Sequence, residues 1–91
     1  MAQIFPLEKI LTVSAEDYCI SAGTKLSNYD LIGIHTDDGI DLFRAQLIKS
    51  FQEIVPFDAV VVVGFNYAVS RVDQYASGTA LVPKELHKSH I

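Results

Sequence analysis

The segment from Asp58 to Pro83 constrains this chain more than any other: four consecutive valines, Val60 to Val63, then a polar stretch, then Tyr75-Ala76-Ser77-Gly78-Thr79-Ala80-Leu81-Val82. Valine-rich runs of strand length on either side of a short polar turn predict a β-hairpin with a buried face. The segment is nearly free of chemically reactive side chains. The strongest pattern in the chain is therefore architectural and speaks for fold and assembly before chemistry.

Two strands are expected, near Ala59 to Ser70 and Gln74 to Pro83. With a period of two, Val61, Val63, Phe65, Tyr67 and Val69 share one face of the first strand. The other face begins with Val60 and Val62 and then changes to Gly64, Asn66, Ala68 and Ser70. A strand apolar on both faces is covered on both faces. One helix covers one of them, so the face of Val60 and Val62 calls for a neighbouring subunit. Composition agrees: of 91 residues 49% are hydrophobic and 20% charged, with a mean hydropathy of +0.26. A domain of this size buries a modest fraction of its surface. The apolar excess belongs against a membrane, a ligand or another copy. No run approaches the roughly 20 apolar residues that span a bilayer, and the longest, Ala59 to Val63, is of strand length. Self-association is the expected destination, with no membrane.

Upstream, Lys9 to Val13 alternates and reads as a short strand. Asp17 to Leu26 places Tyr18, Ile20, Ala22 and Thr24 on one face and Cys19, Ser21, Gly23 and Lys25 on the other, the pattern of a second strand. Ser27-Asn28 is a turn signal, and Leu31 to His35 a third strand. Asp37-Asp38-Gly39 breaks the pattern. Asp38 is placed to cap a helix and Asp41 to sit in its first turn, where the dipole favours negative charge. Ile40, Phe43, Leu47, Phe51 and Ile54 then recur at helical spacing, with Ile48 and Val55 alongside, and Pro56 ends the helix. The order β–β–β–α–β–β makes one α+β domain over residues 1–91, a single amphipathic helix packed on a mostly antiparallel sheet.

Net charge is −4 and the pI about 5.1, with the seven Lys and Arg spread along the chain. No basic footprint for nucleic acid is present. The start, Met1 to Pro6, lacks the basic and long apolar regions of a secretory signal. A lone cysteine, Cys19, rules out an intramolecular disulfide framework and fits a reducing compartment, the cytoplasm by default.

Asp58-Ala59-Val60-Val61, then Gly64-Phe65-Asn66-Tyr67, then Ala76-Ser77-Gly78-Thr79-Ala80-Leu81-Val82 resemble the C-terminal half of the YbjQ-like family, often labelled a heavy-metal-binding domain. Glu16-Asp17-Tyr18-Cys19 adds a looser match, so the likeness covers roughly two thirds of the chain. Here the first strand lacks the family's usual Thr-rich start, the helix is shorter, and Asp37-Asp38-Gly39 stands where a Gly-rich stretch is usual. The chain resembles a compact or divergent member. The resemblance implies a dodecin-like α+β fold and a ring-shaped homo-oligomer, a pentamer. It implies little chemistry, because the family's activity is not established.

The residues themselves suggest a few sites. Cys19 as thiolate can ligate a soft metal, although such a site needs several ligands and no second cysteine exists; as a thiol it is a small core hydrophobe. His35 with Asp37 and Asp38 makes a metal constellation, or merely ends a strand and caps a helix. Cys19, His35 and Asp37 are thus the candidate metal ligands. His87 and His90, three apart, suit a weak adventitious site. Ser77 and Thr79 flank Gly78, a strand glycine of the kind that marks close backbone approach, as at the tight centre of a ring. Arg71 and Asp73 frame the hairpin turn. Tyr67 and Tyr75 can stack on a flat ligand, as planar cofactors do in dodecin-like folds, or simply pack in core or interface. No nucleophile elbow, P-loop or zinc-protease motif is present, and no catalytic set emerges. Three readings stay open: an oligomeric scaffold binding a metal ion or small ligand at a subunit interface, an enzyme with an inter-subunit site using His35, Asp37 and Asp38, and a structural or protein-interaction module.

Overall fold

Residues 5–37, 39–51, 57–69 and 74–88 are described by the computed structural model. Helix α1 spans Ala15–Ala22, strand β1 Tyr29–Thr36, helix α2 Ile40–Phe51, strand β2 Val61–Val69, strand β3 Gln74–Pro83 and the short helix α3 Lys84–Lys88. Three single 3-10 turns, Leu7–Lys9, Leu26–Asn28 and Phe57–Ala59, punctuate them. The strands form an antiparallel sheet of order β1-β3-β2, so the fold is α+β as expected. The order β–β–β–α–β–β is not what forms, and the amphipathic helix is not single.

The expected strand over Asp17 to Leu26 is helix α1. Its caps overrule the alternation. Ser14 accepts the backbone N–H of Asp17 on its Oγ at 3.1 Å, satisfying a donor that a helix start otherwise leaves unpaired. Glu16 and Asp17 occupy the first turn, where the dipole favours them. At the other end Gly23 is left-handed (φ 72°); it donates to the Ile20 carbonyl and Thr24 donates to that of Cys19. That pair of bonds is a Schellman stop, for which glycine is the preferred residue. The strand pattern also mislocated burial: Ile20 is 77% exposed, whereas Cys19 is buried with Ala15 and Tyr18 partly covered beside it. Those three positions lie at helical, not alternate, spacing.

The expected first strand, Lys9 to Val13, is realised only as an extended segment beside β2. Ile10 makes a parallel bridge to Val62. Leu11 donates to the Val62 carbonyl at 2.8 Å and accepts from Phe65 at 2.9 Å, and Val13 accepts from Gly64 at 2.6 Å. This covers the outer edge of β2 and leaves β3 central.

Helix α2 forms as the spacing dictates. Phe43, Leu47 and Phe51 are buried against Ile34, Val60, Val62, Ala76, Ala80 and Val82, and Phe5 closes the same core. Each such side chain contributes about 1.5–3 kcal/mol by burial. The proposed cap Asp38 and the helix stop at Pro56 lie outside the described residues. Alanines and a glycine on the α2-facing side of β3 let the helix approach closely. At Gly78 an added Cβ would lie 2.7 Å from Val62 Cγ1 and 3.3 Å from Phe43 Cζ. The tight approach expected of Gly78 is thus to this chain's own core.

The valine strand changes face midway. Gly64 has φ +60°, and the β2–β3 register slips between Val63, opposite Thr79, and Asn66, opposite Ser77. This is a bulge carrying one extra residue, with glycine in the left-handed position it requires. Val61 and Val63 therefore do not share a face with Phe65 and Tyr67. Phe65 turns toward α2 and meets Phe43 edge-on at 5.3 Å between ring centres. Val60 and Val62, the face assigned to a neighbour, lie in the α2 core. On the opposite face Val63 and Leu81 are fully buried while standing outside that core, and α1 packs against β2 there. At this end the second face is covered from within the chain.

Replacing Gly78 with alanine is expected to cost about 1–3 kcal/mol through overpacking. Gly33, opposite Thr79 and with nothing within 4 Å of an added Cβ, serves as the control. There alanine is expected to be neutral or to gain up to about 1 kcal/mol from lower unfolded-state freedom. Urea denaturation of the two variants measures both.

Candidate functional site

Beyond the reach of α1 the second face of the sheet stays open. β1 presents Leu31, Gly33 and His35 there, all exposed, and β3 presents Tyr75, Ser77 and Thr79. Side chains of one parity share a face, and the register sets His35 opposite Ser77 and Gly33 opposite Thr79. The His35 and Tyr75 rings lie 6.0 Å apart, tilted by 41°.

His35 and Asp37 are brought together, as expected, with Nε2 and Oδ1 3.5 Å apart. Both are well exposed, at 58% and 87% of the side chain, and a polar contact so open to water contributes little to stability. Asp38, the third member of that constellation, lies outside the described residues. Cys19 is separate from the pair: it is 3% exposed and sits on α1, which packs on β2, whereas β1 is at the opposite side of the sheet. Among the described residues no three His, Cys, Asp or Glu side chains gather as a metal site would require. His87 falls in α3; His90, Arg71 and Asp73 lie outside the described residues.

Tyr67 and Tyr75 do not form one platform. Tyr67 pairs with Ala76 and Tyr75 with Ala68, so the two rings leave opposite faces of the sheet. Tyr67 stacks on Phe65, ring centres 6.1 Å apart and planes 21° apart, on the α2 side. Without the bulge its parity would have put it with Val63 on the other side. Both tyrosines and Val69 are exposed, at 47%, 37% and 59%. The hairpin end thus offers apolar surface on both faces. A further polar cleft lies where the turn after α1 meets the start of α3, with Ser27 and Asn28, expected as a turn between strands, among its lining residues.

Compared with known proteins, the chain matches no family model, no curated protein and no solved structure. No helix of the described residues is long and apolar enough to cross a membrane.

Tyr18 has its phenol pushed above the usual 10.0, first by burial and then by the neighbouring Tyr29 and Cys19. A raised folded-state value makes its contribution to stability complete below about pH 10 and lost as pH rises above it. Urea denaturation across pH 9–11.5 is expected to show stability falling at the alkaline end, with a shallower fall in Tyr18→Phe. An equal fall in both proteins would show that Tyr18 ionises freely.

Proposed function

We propose that this chain is a compact YbjQ-like protein with dodecin-like architecture. Its subunits assemble into a ring, a pentamer, and a metal ion or small ligand is held at the seam between them. The observation that carries the reading is the exposed apolar surface of the hairpin end, where Tyr67, Val69 and Tyr75 lie on both faces of the sheet. Leu31, 50% exposed, adds a second, separate apolar position toward the other end of β1, opposite Leu81. Apolar patches of this kind mark association surfaces more than scattered exposed residues do.

The β1–α2–β2–β3 unit, with α2 carrying the chain across a sheet of order β1-β3-β2, supports the dodecin-like part of the reading. A ring would bring copies of the His35–Asp37 pair near one another, supplying ligands that one subunit lacks. Cys19, on the buried face of α1, serves packing in this reading.

Light scattering or native mass spectrometry at micromolar concentration tests the assembly. Five copies of the 10.0 kDa chain give a particle of about 50 kDa. Val69→Asp combined with Leu31→Asp is expected to weaken assembly by at least about tenfold while the circular dichroism spectrum is retained, since each charge would be buried unpaired at the seam. A stable 10 kDa monomer would overturn the reading. Metal analysis of untagged protein tests the ligand: His35→Ala is expected to lower any bound metal and Cys19→Ser to leave it unchanged.

A further inference from the structure

An open cleft of about 520 Å³ lies between the turn after α1 and the β3–α3 junction, lined by Thr24, Ser27, Asn28, Tyr29, Pro83, Lys84 and Glu85. We propose that it binds a small, neutral, polyhydroxylated ligand of monosaccharide size. Tyr29 and Pro83 are direct cross-strand partners, so their rings stand side by side on one face of the sheet. Together they form a short apolar strip against which the C–H face of a sugar ring can pack. Hydrogen-bonding groups rim that strip. Asn28 Nδ2 donates to Thr24 Oγ1 at 3.2 Å, which leaves the amide its second hydrogen and its carbonyl oxygen for a ligand. Ser27 adds a hydroxyl.

Charge selects the ligand class. Lys84 and Glu85, consecutive at the start of α3, both line the cleft, so its rim carries one cationic and one anionic residue. A phosphate attracted by Lys84 meets the Glu85 carboxylate, and a cation attracted by Glu85 meets the ammonium. Vicinal hydroxyls satisfy both, accepting from Lys84 and donating to Glu85. The volume suits a small molecule. Both walls are regular backbone, the Leu26–Asn28 turn on one side and the β3–α3 junction on the other. The cleft lies within one subunit, so the proposal does not depend on ring assembly.

Amide chemical shifts of the full chain, followed by NMR during titration with D-glucose, D-galactose, D-mannose or D-ribose, test it. The expected result is saturable shifts confined to 24–29 and 83–85 with at least one sugar, at a Kd of roughly 1–10 mM, with glycine and inorganic phosphate giving none. Asn28→Ala and Glu85→Ala, both at exposed positions, are expected to weaken that binding at least about fivefold with melting temperature unchanged. No saturable shift from any of the four sugars up to about 100 mM, or equal shifts with phosphate or glycine, would overturn the proposal.

Discussion

Phe43 rests on β3 where Gly78 leaves room for it, and the rest of the fold is arranged around that contact. An added Cβ at Gly78 would overlap Val62 and crowd Phe43, so the glycine sets how closely α2 approaches the sheet. Close approach lets Leu47 and Phe51 reach Val60, Val62 and Val82 in the same core. It also draws Phe65 over the helix, edge-on to Phe43, which the chain achieves by inserting a bulge at Gly64. The two glycines thus divide the work: one admits the helix, the other turns the strand beneath it.

The bulge has a consequence for every side chain after it. Before Gly64, odd positions of β2 face away from α2; after it, they face toward α2. Val63 is handed to the α1 side, where it is buried with Leu81, and Tyr67 to the α2 side. The hairpin end therefore carries apolar residues on both faces, Tyr67 and Val69 on one and Tyr75 on the other. That distribution supplies the sticky surface on which the proposed assembly rests.

Much of this was legible in the residues. The hairpin strands, β1 and α2 announce themselves by apolar period, and Phe43, Leu47 and Phe51 by their spacing. What was not legible has two physical causes. In Asp17 to Leu26 alternation and helical spacing compete over a short span, and the caps decide: Ser14 with Asp17, and Gly23 in a left-handed stop, were the available signal. The Gly64 bulge follows from packing with α2, a long-range contact that no local period reports; a glycine within a strand pattern was its one hint. Of the candidate ligands, the pairing of His35 with Asp37 was readable because two residues in sequence keep them near. The isolation of Cys19 was not, because it depends on α1 being a helix. The cleft by Asn28 and Lys84 joins segments 56 positions apart, and sequence spacing does not encode it.

Burial of Val63 and Leu81 depends on α1 being a helix laid against β2, where a strand would leave that face open. Backbone NMR decides this most directly. Helical Cα shifts are expected over Ala15–Ala22, together with nuclear Overhauser contacts from α1 to β2, unchanged on dilution. Extended shifts over that segment, or α1 contacts that vanish when any assembly dissociates, would contradict it.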